Sequence, residues 1–372
     1  MENILSYILY LIIAMVCAFC LSATLTPVVR VLAFKFKVTD VPKDNRRMHK
    51  KEMPLMGGLA IYLAFVVTTL VFCSSFGIGI DMKVIGLLLG ATLIVLTGII
   101  DDKYEMSALL KFLMQIASGL IAYFSGITIQ QIELFGKIID FERLGIDGLV
   151  TVIWIVALTN AINLIDGLDG LSCGVSTISS FTLLISISHS PTPFYVILMI
   201  GILAGSCLGF LPFNFNPAKI FMGDTGALFL GYSMSVLSIM GCFKFNALVS
   251  FWVPFLIFAL PLMDTAFAFI RRILTGKSPF AADRGHVHHR LIDKGFDQKH
   301  SVMILYAVSG ISGISAILMS IKNFVGGLVM LFAAIFILIL ILTLGSEKTS
   351  GISNSGNEEQ KSNLNSNSTS ND

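Results

Sequence analysis

Two Asn and two Asp close one apolar run of this chain, at Asn160, Asn163, Asp166 and Asp169. The i, i+3, i+6, i+9 spacing makes such residues drift slowly around one face of a helix. Gly167 and Gly170 then break that helix and open the backbone to close approach. Asn and Asp at such a place can read a nucleobase or a sugar, or coordinate Mg²⁺ through oxygen. The alternative is interhelical hydrogen bonding, which needs fewer polar residues than stand here. A second cluster, Asp101-Asp102, follows Thr97-Gly-Ile-Ile100. Adjacent carboxylates on a helix point about 100° apart, so the pair serves as metal ligand plus base or as two ligands to a hard cation. A solvated helix end is the plainer reading, weakened because acidic groups there oppose the helix dipole. A third cluster runs from Phe213-Asn214 through Phe221 to Asp224. Capping of the following helix explains Asp224 but not the aromatic residues, and Phe221 is suited to stack on a base. The fourth is His286-Val-His288-His289-Arg290. Three His within four residues suggest zinc, but no closed tetrahedral set accompanies them, and contact of imidazole and Arg with phosphate oxygens is the better reading.

These clusters sit at the ends of long apolar runs. The chain is 55% hydrophobic and 13% charged, against about 25% charged in soluble domains, which makes it an integral membrane protein. Eleven runs are long enough to span a bilayer: 4–33, 55–76, 83–100, 108–125, 147–162, 171–188, 194–212, 225–242, 247–270, 302–321 and 323–344. The expected fold class is all-α, with about 11 transmembrane helices and a cytoplasmic cleft. The first run lacks a basic leader and a cleavage pattern, so it is read as a span. An odd number of spans puts the termini on opposite faces. With the 34–53 loop in the cytoplasm, 20 of the 25 Lys and Arg fall on that side. This asymmetry places the C-terminus inside and the N-terminus outside. All four polar clusters follow inward-running spans and therefore share the cytoplasmic face, as one composite site requires.

Other segments have simpler readings. Residues 126–146 form an outer loop suited to a β-hairpin turning near Phe135-Gly136-Lys137. Residues 1–344 form one membrane domain, and the Ser- and Asn-rich segment 345–372 is read as a disordered tail. The six cysteines lie in or at the ends of apolar runs and suit helix packing rather than disulfides. Asp264 lies in the ninth run, about two turns before Arg271, and either pairs with a nearby base or faces the cleft. The basic stretch Arg46–Lys51 is a topology signal or a contact for anionic lipid head groups.

The inventory is oxygen ligands for Mg²⁺, cations for phosphate, Asn and Phe for a base, and a membrane setting. It fits phosphoryl transfer between a soluble nucleotide and a lipid phosphate, with no nucleic acid as partner. A transporter would place its carboxylates near the midplane at a repeat interface, whereas these gather at one face and no repeat is evident.

Taken in order, Arg46-Arg-Met-His49, Pro54-Leu-Met-Gly-Gly58, Ile100-Asp-Asp-Lys103, Asn160–Leu171, Pro217–Gly226 and His286–Arg290 resemble the bacterial polyprenyl-phosphate N-acetylhexosamine-1-phosphate transferases, of glycosyltransferase 4 type. The resemblance implies a shallow cytoplasmic cleft, Mg²⁺ with Mn²⁺ as a substitute, and release of UMP. It implies that Asp101 engages or deprotonates the lipid phosphate, with Asp102 beside it. Asp224 would be the principal metal ligand, with Asn163 and Asp166 shaping the metal site. Gly167, Leu168, Asp169, Asn214 and Phe221 would line the uridine pocket. His286, His288, His289 and Arg290 would meet the sugar or diphosphate, and His49 and Lys51 would join the substrate-binding set. Within the family, the phospho-MurNAc-pentapeptide branch carries three consecutive His and Thr-Pro-Thr-Met-Gly-Gly. This chain has His286-Val-His288-His289 and Met53-Pro-Leu-Met56, which resemble the branch using UDP-GlcNAc and undecaprenyl phosphate to begin teichoic acid and related surface polymers. A homodimer in the bacterial plasma membrane is compatible with this reading. Direct in-line attack by the lipid phosphate is the expected route, with a two-step route through a carboxylate intermediate as its rival.

Overall fold

In hydrocarbon each backbone polar group must find its partner within the protein, and long apolar runs meet that demand as helices. A computed structural model describes residues 2–41, 52–75, 81–134, 137–243, 248–276 and 285–344. Its helices are α1 (Glu2–Lys35), α2 (Gly57–Ser75), α3 (Met82–Tyr104), α4 (Ala108–Phe124), α5 (Asp147–Leu164), α6 (Leu171–Ile187) and α7 (Phe194–Asn214). Then follow α8 (Gly223–Gly241), α9 (Leu248–Ile257), α10 (Ala259–Leu274), α11 (Val287–Asp293), α12 (Gln298–Ser320) and α13 (Phe324–Leu344). Seven of these, α1, α2, α3, α5, α7, α12 and α13, are long and apolar enough to cross a membrane. The chain is a multi-pass membrane protein, predominantly helical. The apolar helices α4 and α6 are shorter, at 17 residues each.

The ninth apolar run does not form one helix. It stops at Ile257 and resumes at Ala259, with Phe258 outside helical geometry between them. Pro261 explains the break, because it has no N–H to give the carbonyl of Ile257 one turn earlier. That carbonyl accepts from Ser179 Oγ of α6 at 3.0 Å instead.

α8 is the centre of the bundle. Every residue from Thr225 to Gly241 is buried, against α2, α3, α5, α6 and α7. Such a helix needs close neighbours on all sides, and glycine permits two of them. A Cβ on Gly58 of α2 would stand 2.0 Å from Gly226 Cα, and one on Gly98 of α3 would stand 2.4 Å from Thr225 Cα. These contacts draw the start of α8 onto α2 and the end of α3, as small residues do between membrane helices.

Two short antiparallel pairs complete the fold. β1 (Thr39–Asp40) pairs with β2 (Met53–Pro54), joining the end of α1 to the start of α2. The same segment is stitched to the loop before α8. Phe221 N donates to Pro54 O at 2.9 Å, Gly57 N to Phe221 O at 3.0 Å and Gly58 N to Met222 O at 2.9 Å. β3 (Gln131–Leu134) pairs with β4 (Lys137–Asp140) between α4 and α5. The turn residues 135 and 136, the basic stretch with His49 and Lys51, and the 345–372 segment lie outside the described residues.

Candidate active site

The end of α3 and the start of α4 are folded back on each other. Glu105 caps α3 in the left-handed region, at φ 53°, and the turn lets Met106 N donate to Asp101 Oδ1 at 2.8 Å. This brings Lys111 of α4 onto Asp101, with Nζ 2.6 Å from Oδ2. The same ammonium contacts Asp224 Oδ2 on α8. Asp224 Oδ1 in turn accepts from Asn163 Nδ2 of α5 at 3.1 Å. Four helices thus converge on two carboxylates joined by one lysine.

Asp102 has different work from its neighbour. Its Oδ1 accepts from Asp224 N at 2.8 Å, and its Oδ2 accepts from Thr225 N at 3.1 Å and Thr225 Oγ1 at 2.6 Å. A carboxylate on the first N–H groups of a helix satisfies donors that have no partner within it and complements the dipole. Asp102, expected to act beside Asp101, therefore pins the backbone of Asp224. Gly223, at φ +69°, leaves room for this, since a Cβ there would stand 2.5 Å from Asp102 Oδ2.

A cleft of about 610 Å³ opens from this point, lined by Asp102, Asp166, Gly167, Leu168, Asp169, Asn214, Phe221 and Asp224, and on its far wall by His289, Ile292, Asp293 and Gln298. Asp169 Oδ2 accepts from Asn216 Nδ2 and Ala218 N, both at 3.0 Å, and so holds the loop after α7 in place. Asn216 Nδ2 also donates to Gln298 Oε1 at 3.0 Å, which ties in α12. Asn214 donates to Ile220 O at 3.1 Å, while its buried Oδ1 has no hydrogen-bond partner. Asp166 stands apart from these bonded groups: its carboxylate accepts no hydrogen bond among the described residues. Burial first, then the charges of Asp224, Asp102 and Asp169, push it well above the usual carboxylate range. An acid without a donor in a field of other acids suits a hard divalent cation.

Among the described residues no three His, Cys, Asp or Glu side chains are placed to hold a metal by themselves. That is compatible with Mg²⁺, which is commonly held by one or two carboxylates while substrate phosphates and water complete its shell. Asp224 and Asp166, with the amide of Asn163 adjacent, are the donor set that fits.

The histidines divide by position. His286 is 5% exposed and its Nδ1 lies 2.9 Å from Asp264 Oδ2, so of the two alternatives for Asp264 the structure takes the buried pair. His288 is also buried, and a Cβ on Gly167 would come within 2.3 Å of its Nε2. Desolvation, then the neighbouring His289, lowers its pKa to about 4, which leaves it neutral at physiological pH. His289 lines the cleft. His286, His288 and Arg290, expected at the substrate, do not: His286 is engaged with Asp264, His288 is buried against Gly167, and Arg290 is exposed outside the cleft lining. Sequence reasoning missed Lys111, Asn216, Asp293 and Gln298. Lys111 does carry a signal in the sequence, a charge set inside an apolar run.

Residues 84–242 match glycosyl transferase family 4. The chain is 40% identical to a probable undecaprenyl-phosphate N-acetylglucosaminyl 1-phosphate transferase of Bacillus subtilis, over 87% of this chain and 88% of that one. It is 32% identical to a decaprenyl-phosphate N-acetylglucosaminephosphotransferase of Mycolicibacterium smegmatis, over 77% of each. It is also 32% identical to a phospho-N-acetylmuramoyl-pentapeptide-transferase of Staphylococcus aureus, over 82% of this chain and 96% of that one.

Proposed function

The chain belongs to glycosyl transferase family 4, and we propose that it transfers GlcNAc-1-phosphate from UDP-GlcNAc to undecaprenyl phosphate, giving undecaprenyl-diphosphate-GlcNAc and UMP. The observation that carries this reading is the Asp101–Lys111–Asp224 bridge at the head of a cleft large enough for a nucleotide sugar. The sugar follows the Bacillus subtilis relative, which is the more similar of the two activities compared.

On this reading the uridine lies against Gly167, Leu168 and Asp169 with Phe221 as a stacking face, and the diphosphate reaches toward Asp224. The lipid phosphate enters from the bilayer at the α3–α4 end, near Asp101 and Lys111. Its oxygen attacks the β-phosphorus of UDP-GlcNAc. The new P–O bond forms as the bond from that phosphorus to the bridging oxygen breaks, and UMP leaves with the electron pair. A phosphate monoester has a second pKa of about 6, so the attacking oxygen is largely deprotonated at neutral pH. Asp101, already bonded to Lys111 and Met106 N, then orients and balances charge more than it removes a proton. Asp224 and Asp166 would hold Mg²⁺ or Mn²⁺, which when bound neutralises the diphosphate and stabilises the leaving group. Lys111 supplies a fixed positive charge between Asp101 and Asp224, where phosphate oxygens must pass. Catalysis here is positioning and charge neutralisation.

The reading includes eleven crossings of the bacterial plasma membrane, with α9 and α10 together forming one and α11 lying at the cytoplasmic face. The C-terminus and the cleft are cytoplasmic, the N-terminus is outside, and the product begins teichoic acid or another surface polymer. The test uses purified protein in detergent with Mg²⁺, undecaprenyl phosphate and either UDP-GlcNAc or UDP-MurNAc-pentapeptide, with UMP as readout. UMP from UDP-GlcNAc alone is expected. UMP from the pentapeptide nucleotide alone would move the chain to the other branch.

A further inference from the structure

Asp264 takes no part in the steps above, yet it is 4% exposed inside α10. A buried carboxylate in an apolar helix is costly unless it is bonded, and such groups mark function by default. Both of its oxygens bond to the start of α11. Oδ2 accepts from His286 Nδ1 at 2.9 Å, and Oδ1 accepts from Val287 N at 2.9 Å. The carboxylate thus caps a seven-residue helix from a different element. The chain just before that helix is also closely held, since a Cβ on Gly285 would stand 2.0 Å from Arg271 Cζ of α10.

From this anchor three imidazoles lead to the cleft. The rings of His286 and His288 stack at 5.7 Å and 9°, and those of His288 and His289 meet at 4.3 Å. His288 closes on Gly167, in the loop expected to receive uridine, and His289 stands in the cleft wall. Asp264 itself does not line the cleft.

We propose that Asp264 is a positioning residue: by bonding His286 and Val287 it fixes α11, so that His288 braces the Gly167 loop and His289 faces the nucleotide sugar. It acts on the nucleotide-sugar end of the site and not on the lipid-phosphate end, where Asp101 and Lys111 stand. The inference rests on the function proposed above for its choice of substrates, but the anchor can be read without any substrate.

The experiment compares full-length wild type, Asp264→Ala, Asp264→Asn and His286→Phe in detergent. Amide exchange over residues 287–293 is measured without substrate, and KM is measured separately for UDP-GlcNAc and undecaprenyl phosphate. D264A is expected to speed exchange in α11 and raise KM for UDP-GlcNAc about tenfold, the order of one lost hydrogen bond to a charged group, with KM for the lipid little changed. D264N keeps an acceptor for Val287 N and can donate to the other tautomer of His286, so it restores both readouts toward wild type. H286F keeps a ring in the stack but loses the bond, and it raises the nucleotide-sugar KM alone. Wild-type exchange and KM in folded D264A, or an equal rise in both KM values, would overturn the anchor. Should D264A fail to fold, H286F decides: a selective rise supports the proposal and an unchanged KM overturns it. If the wild type releases no UMP from UDP-GlcNAc, the proposed reaction falls while the exchange data still test the anchor.

Discussion

His288 shows how one side chain can be made to serve without charge. Burial first, then the neighbouring His289, lowers its pKa to about 4, against the opposing charge of Asp264. In the unfolded chain an imidazole titrates near 6.5. At pH 7 both states are neutral and the shift has no effect on stability. As pH falls below 6.5 the unfolded chain takes up the proton, while the folded protein does not until pH nears 4. Stability is therefore lost across that window, by roughly 3 kcal/mol at full extent. The melting temperature should fall from pH 6.5 to 4.5, and fall less in His288→Gln. Identical pH dependence in the two proteins would mean that His288 is not held neutral. The contrast between Asp101 and Asp102 belongs to the same level. They are neighbours in sequence, yet Asp101 bonds to a lysine and Asp102 caps α8. Nothing in the dipeptide separates these jobs, because they depend on which helix end each side chain meets.

Between elements, the start of α8 is the piece that everything else holds. Gly98 meets Thr225 there, one residue after Asp224. Gly98→Ala must push α8 away from α3, and overpacking of this kind costs about 1–3 kcal/mol. Because Asp224 moves with the helix, UMP release should drop along with melting temperature. Gly310, in α12, has nothing within 4 Å of a Cβ. Gly310→Ala should instead stabilise by roughly 0.5–1 kcal/mol, through the entropy of a helical glycine. If Gly98→Ala melts like wild type, the close contact of α3 and α8 is not as described. The apolar runs were legible because membrane helices are written in hydropathy. The break at Phe258 was not, since hydropathy averages over it, although Pro261 stood in plain view. The polar clusters were legible because charge at membrane depth is rare. Lys111 and Gln298 were not, as their significance lies in contacts from distant parts of the chain.

Across the whole molecule, the site exists only because the ends of α3, α5 and α7 meet the starts of α4, α8 and α11. The distribution of Lys and Arg along the sequence predicts that the four clusters share one face. The structure gathers Asp101, Asn163, Asp166, Asn214, Phe221, Asp224 and His289 at or beside one cleft. What topology could not supply was the internal division of the cleft, with a lysine-bridged carboxylate pair at one end and a wall built by α11 and α12 at the other. The proposed transfer of GlcNAc-1-phosphate requires that the bond broken lie between the two phosphorus atoms of the nucleotide sugar, not between sugar and phosphate. The most direct measurement uses UDP-GlcNAc carrying 32P at the β-phosphorus, with purified protein, Mg²⁺ and undecaprenyl phosphate, followed by separation of lipid from water-soluble products. The account predicts that the label moves into the lipid fraction as unlabelled UMP appears. Label retained in water-soluble UDP, with unlabelled sugar on the lipid, would contradict it.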